Sequence, residues 1–136
     1  MIKENLNMSG ETSPVNILLA EDDKNFGIII KSELEEEGYV VDLVNDGVEA
    51  VLRFIDGHYD VFLFDIQMPR LGGISALRII RKLNRDVASI AFSGNAGQDE
   101  IAEALDAGAR QCFIKPFGIA ELVDCIRDRM LFPEKV

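Results

Sequence analysis

The chain has no tryptophan, one histidine, two cysteines and four prolines among its 136 residues. Each scarcity removes a class of chemistry. Cys112 and Cys125 offer neither the number nor the close spacing of a disulfide framework or a thiolate zinc site, so both are expected as reduced, packed thiols. His58 sits in the turn Asp56-Gly57-His58-Tyr59, where a surface position is expected rather than a phosphohistidine role. No apolar run approaches the ~20 residues that cross a bilayer. The start also lacks a basic segment followed by an apolar block, so a cytoplasmic location with no membrane association is expected. Positive charge is scarce as well: 14 Lys and Arg stand against 24 Asp and Glu, a net charge of −10. Contact with a nucleic-acid backbone depends on clustered basic side chains, so no direct nucleic-acid binding is expected. Part of the acidity has a plain reading, since Glu33, Glu35, Glu36 and Glu37 fall together on a solvated helix end.

What is present suits one folded unit. The length buries one core and is short for two. Residues 1–13 are mostly polar, with Gly10 and then Pro14 after them, and show neither helical nor strand periodicity. They are expected to be a mobile tail, with a domain over 14–132 and a second tail over 133–136. Five short Val/Ile/Leu/Phe-rich strands are expected at 16–21, 39–44, 60–65, 87–92 and 111–115, each followed by a helical pattern. The apolar faces are Phe26, Ile29, Ile30 and Leu34 in the first helix and Val48, Val51, Leu52 and Ile55 in the second. Leu77, Ile80 and Leu83 mark the third; Ile101, Ala104, Leu105 and Gly108 the fourth; Ile119, Leu122, Val123, Ile126 and Met130 the fifth. Gly38 and Gly108 sit where a left-handed helix terminus is wanted, and Asp46 or Asn45 can cap the second helix.

Segments such as Ile17-Leu18-Leu19-Ala20 and Val61-Phe62-Leu63-Phe64 lack polar alternation and so need cover on both faces. A doubly wound α/β sandwich follows, a flavodoxin-like parallel sheet for which the commonest five-strand order is 2-1-3-4-5. Ligands of such sheets bind beyond the carboxyl ends of the strands. Polar chemistry converges there: the first strand finishes in Glu21-Asp22-Asp23, the third in Asp65, the fourth in Ser93 and the fifth in Lys115. Two carboxylates about 5 Å apart repel by roughly 3 kcal/mol at an effective dielectric near 20. A hard cation offsets this while leaving the carboxylates ionised and nucleophilic. Mg²⁺ suits the cluster, together with a backbone carbonyl just past Asp65, and Mn²⁺ satisfies the same donors. A lysine and a hydroxyl beside such carboxylates match phosphoryl transfer, where catalysis is mainly positioning and charge neutralisation. Taken singly, any one of these residues is more simply a cap or turn former; the set points to Asp65 as a nucleophile.

The runs NILLAEDD, VFLFDIQMPRLGG, IAFSGN and AGARQCFIKPF resemble, in order, the four signature segments of response regulator receiver domains, spanning most of residues 15–131. That resemblance implies a phosphoacceptor of a two-component or phosphorelay system, with Asp65 as the phosphorylated aspartate and Met68-Pro69 and Gly73 at the family's intervals after it. It implies Asp22 as a direct Mg²⁺ ligand, Glu21 acting through water, and the Gln67 backbone carbonyl completing the site. Ser93 would contact the phosphoryl group and Lys115 would pair with its oxygens, ahead of a Lys115-Pro116 bond that is commonly cis in the family. The implied partners are a histidine kinase or histidine phosphotransfer protein, and a downstream protein or a second copy at the face of the fourth helix, fifth strand and fifth helix. With the chain ending at Val136 soon after the fifth helix, the output is expected to run through another protein.

One position departs from the pattern: the family usually places an aromatic residue three before the lysine, and here it is Cys112, most simply a thiol packed on an edge strand. Gly94 beside Ser93 leaves the site open to water or a partner. Arg78, Arg81, Lys82 and Arg85 put positive charge on and after the third helix, most simply a solvated face. Three other functions compete. A haloacid dehalogenase-type aspartyl phosphatase needs an acid two residues past the nucleophile, where this chain has Gln67. A flavodoxin-like electron carrier needs a phosphate-cradling first loop, which Glu21-Asp22-Asp23 would repel. A degenerate receiver that only docks would not keep every acceptor-site residue type. The chain is thus expected to catalyse only its own phosphorylation and dephosphorylation and not to act as an enzyme.

Overall fold

Strands with almost no polar residues are stable only when both faces are covered, and the central sheet is built that way. The computed structural model describes residues 4–6, 12–95 and 97–131. Two three-residue strands, β1 (Glu4–Leu6) and β2 (Thr12–Pro14), pair antiparallel in a small sheet of their own. After them come β3 (Asn16–Ala20), α1 (Lys24–Glu36), β4 (Val40–Val44), α2 (Gly47–Asp56), β5 (Val61–Asp65) and α3 (Gly73–Leu83). The chain continues through β6 (Ala88–Ser93), α4 (Gln98–Ala107), β7 (Gln111–Ile114) and α5 (Ile119–Leu131). Strands β3 to β7 form one sheet in the order β4-β3-β5-β6-β7, every pairing parallel, which is the expected 2-1-3-4-5 order of a doubly wound sandwich.

Alternate residues feed two cores. Ile17, Leu19, Val61, Leu63, Ile90 and Phe92 pack under α1 and α5, against Ile30, Leu34, Leu122 and Ile126. Leu18, Ala20, Phe62, Phe64 and Ala91 face the other way, under α2, α3 and α4, against Phe54, Leu77, Ile80 and Ala104. Strands β5 and β6 are buried at every position, whereas the edge strands β4 and β7 are not.

The structure corrects the sequence reading at two levels. Within the stretch 1–13, where the sequence shows no strand periodicity, Glu4–Leu6 and Thr12–Ser13 belong to the β1–β2 ladder; three-residue strands are too short to display a period. The expected tail over 133–136 lies outside the described residues. In the helices, Ile29, Leu52, Ile55, Leu83 and Leu105 are exposed rather than core residues. In α2 the buried stripe is Gly47, Ala50 and Phe54, two of them too small to give a hydrophobic signal; Gly47 lets the helix start against the loop before α3, where a Cβ would fall 2.0 Å from Leu71 O. Asp46 caps α2, accepting from the Glu49 amide, and Gly38 and Gly108 take positive φ after α1 and α4.

Candidate functional site

The ladder extends one step past the strands, and that step aims the polar residues. The Glu21 N–H donates to Val44 O (2.9 Å), Ile66 N–H to Phe92 O (3.0 Å) and Lys115 N–H to Ser93 O (2.8 Å). Residues at the carboxyl ends of β3, β5, β6 and β7 are therefore held by the sheet itself, one register position from its last pairs. Gly73 lets α3 start against the end of β5: a Cβ there would fall 2.1 Å from Asp65 O and 2.7 Å from Phe64 Cδ2. Lys115-Pro116 is a cis peptide.

Glu21, Asp22 and Asp65 each offer a carboxylate oxygen, and the three lie within 4.8 Å of one another. Lys115 Nζ bridges two of them, 2.7 Å from Glu21 Oε1 and 2.8 Å from Asp65 Oδ2. The second oxygen of each is also engaged: Asp65 Oδ1 accepts from the Gln67 N–H (2.9 Å), and Glu21 Oε2 from the Asp23 N–H (3.0 Å). Glu21 is 0 %, Asp65 6 % and Ser93 1 % exposed, while Asp22 is open to solvent. Ser93 stands one residue beyond Phe92, the register partner of Asp65, and its hydroxyl accepts from the Asn95 N–H (3.3 Å).

Burial acts most strongly on Glu21. Desolvation pushes its pKa up to about 7, against the lowering effect of its hydrogen bond from Lys115. Burial by itself would lower the Lys115 pKa; the hydrogen bonds to Asp65 and Glu21 outweigh it, and the net shift is upward. The ammonium is thereby fixed in its charged form between two carboxylates. On Cys112, half-buried in the edge strand β7, burial raises the thiol pKa and the nearby Asp65 charge adds to it. The Cys112 side chain packs against the core under α2, α3 and α4.

Glu21, Asp22, Asp65 and Lys115 thus meet, with Gln67 contributing its backbone N–H to Asp65 in the loop directly after β5 and Ser93 ending the neighbouring strand β6. The sequence reading did not anticipate how the surrounding residues support the site. Asp23, the third acid of its run, caps α1 by accepting from Phe26 N–H and is not part of the carboxylate cluster. Asn45 Nδ2 donates to Glu21 O (3.1 Å), tying the β4–α2 loop to the site. The Phe26 and Phe92 rings lie 4.4 and 5.4 Å from Lys115 Nζ, and Phe117 packs against both rings. Helical spacing alone makes Phe26 a core residue; its place in the first turn of α1, next to a strand end, is the signal for its second role.

A family model described as the response regulator receiver domain matches residues 17–127. The chain belongs to the response regulator receiver domain family. Phosphorylation and Mg²⁺ binding are standard for receiver domains of two-component systems, and a phosphoacceptor role follows in general terms for this one. Among curated relatives, the response regulator ArlR of Staphylococcus epidermidis is 35% identical over 112 residues, 82% of this chain and 51% of its own. The chain spans about half the length of the curated relatives it matches. Among solved structures, the Francisella response regulator 1452 receiver domain matches with a TM-score of 0.80 at 33% identity, covering 88% of this chain and 99% of that one. The receiver domain of the sensor histidine kinase PA1611 from Pseudomonas aeruginosa matches with a TM-score of 0.77 at 38% identity, covering 88% of this chain and 98% of that one. That structure has a magnesium ion coordinated in its active-site cleft. The receiver family binds Mg²⁺ in an acidic site, and this receiver domain carries the corresponding kind of cluster, all oxygen donors, in Glu21, Asp22 and Asp65. Among the described residues, no helix is long and apolar enough to cross a membrane.

Proposed function

We propose that residues 14–132 form a receiver unit that accepts a phosphoryl group on Asp65 from the phosphohistidine of a histidine kinase or histidine phosphotransfer protein. One observation carries this reading: a nearly buried strand-end carboxylate lies 2.8 Å from an ammonium and within 4.8 Å of two further carboxylates. An Asp65 oxygen attacks phosphorus, the phosphorus–nitrogen bond breaks, and the imidazole leaves with the electron pair. Water later attacks the acyl phosphate at phosphorus and returns the carboxylate. Lys115 pairs with the phosphoryl oxygens, and Ser93 turns its hydroxyl toward them. The residues that would hold Mg²⁺ are Asp22 and Asp65 directly, Glu21 through water, and the Gln67 carbonyl; Mn²⁺ suits the same donors. When bound, the ion neutralises charge on the phosphoryl oxygens.

Charge added at Asp65 draws on Ser93 and Lys115, which end β6 and begin the loop after β7. The surface next to those elements, where Leu105 of α4 and Ile114 of β7 are exposed, is the favoured face for a downstream protein or a second copy. The experiment is incubation with acetyl phosphate and Mg²⁺, read by intact mass, beside Asp65→Asn and a chelated sample. A single phosphoryl adduct on the untreated wild type alone is the expected result. An adduct that persists in Asp65→Asn would move the acceptor elsewhere, and multiple-turnover hydrolysis of unrelated phosphoesters would favour a phosphatase.

A further inference from the structure

Away from the strand ends, four basic side chains meet in a groove that the acceptor chemistry does not use. Arg78, Arg81 and Lys82 of α3 and Arg85 just beyond it recur at the three- and four-residue spacing of one helix side, and with Ala107 of α4 they line a cavity of about 510 Å³. That volume falls within the ~300–1,000 Å³ typical of small-molecule sites. Four of the 14 basic residues gather there in a chain with 24 acidic ones. Only Arg78 is neutralised, by Glu103 of α4 at 3.1 Å; Arg81, Lys82 and Arg85 have no ion pair with any described residue. Arg81 is also held in place. It lies across Gly108, where a Cβ would fall 2.4 Å from its Cδ and Nε, so the glycine leaves room for the guanidinium stem.

We infer that this groove binds a compact polyphosphate anion, a diphosphate or triphosphate group gripped by guanidinium forks with Lys82 as an added point charge. Several cations within ~10 Å call for a ligand carrying several charges at close spacing, which one polyphosphate supplies and one carboxylate does not. No aromatic side chain lines the groove, so recognition rests on the phosphates rather than on a stacked base. The net charge of −10 opposes a long polyanion such as a duplex. At physiological ionic strength, charges beyond ~8 Å are screened, so a short ligand feels mainly the groove.

The test is an amide-resolved NMR titration of the full chain with sodium triphosphate, at physiological ionic strength and with EDTA so that no metal complex forms at the carboxylate cluster. Shifts confined to residues 78–85 and 105–109 are expected, with at least about tenfold weaker binding in the Arg81→Gln/Arg85→Gln variant and none lost in Lys31→Gln. ATP alongside inorganic triphosphate separates the sources: equal affinity assigns the phosphates alone, and tighter ATP binding assigns a nucleotide. Unperturbed groove amides at millimolar triphosphate would overturn the inference. So would undiminished binding in the double variant, or a response to a glutamate-rich peptide but not to triphosphate, which would make the surface a protein dock.

Discussion

The strand-end cluster and the α3 groove treat charge in opposite ways. At the strand ends Glu21, Asp65 and Lys115 are largely out of water and bonded to one another, whereas on and just after α3 three of four cations have no ion pair with a described residue and stand near solvent. Burial is the difference. A desolvated charge must find a partner or surrender its ionisation, so each member of the cluster constrains the others, while water already satisfies a cation in the groove. Removing one charge should therefore be costly at the first place and nearly silent for folding at the second. The largest expected effect is Lys115→Met, which leaves two neighbouring buried carboxylates without their shared ammonium. A loss of about 3 kcal/mol at pH 8 is expected from chemical denaturation in chelator. The loss should shrink toward pH 5.5, where a carboxylate can take up a proton instead. An equal cost at both pH values would show that Lys115 matters as packing and not as charge.

Glu21 sharpens the same point without altering Lys115. Its folded pKa, about 7, lies above its ordinary value of 4.5, so between those values the native state binds more protons than the unfolded chain. Stability from this group is then full below pH 4.5 and falls as pH rises toward 7. Comparing wild type with Glu21→Gln across pH 4.5 to 8 in metal-free buffer isolates that slope, which the amide variant should lack. A slope unchanged by the substitution would assign the titration to another group.

The central part of this picture could be read from the sequence, and the margins could not. Strands β5 and β6 declare themselves because both faces are buried and every position but the terminal Asp65 is apolar or small. The meeting of Glu21, Asp22, Asp65 and Lys115 followed from topology, since a parallel sheet brings all its carboxyl ends to one edge. The exposure of Leu52 and Ile55 was illegible because the contact stripe of α2 consists of Gly47, Ala50 and Phe54, and two small residues carry no periodic signal. The Phe26 ring beside Lys115 was hidden for another reason: an aromatic at helical spacing reads as core, and only the chain's return after β7 gives that ring a cation.

Asp46 lies between the two extremes and gives the next smaller effect. Its carboxylate accepts from the Glu49 N–H (2.8 Å) at the start of α2 and pairs with Arg70. The hydrogen bond from the Glu49 backbone is the chief cause that lowers its pKa below the usual 3.8. Stability from a lowered carboxylate is present above its unfolded value and lost as pH falls through the folded one. Asp46→Ala should therefore cost about 1 kcal/mol at neutral pH, with the gap to wild type closing below about pH 3.8.

The smallest effect is the one that most directly breaks the comparison. Arg85→Gln removes an exposed cation with no ion pair to a described residue, so its folding stability should stay within about 0.5 kcal/mol of wild type. Solvent already provides what a partner would. A gain in stability would indicate that the four cations of the groove repel one another strongly enough to strain the native state, and added salt should then reproduce the gain in wild type by screening them. A loss beyond 1 kcal/mol that salt does not alter would place the Arg85 stem, and not its charge, in contact with the fold.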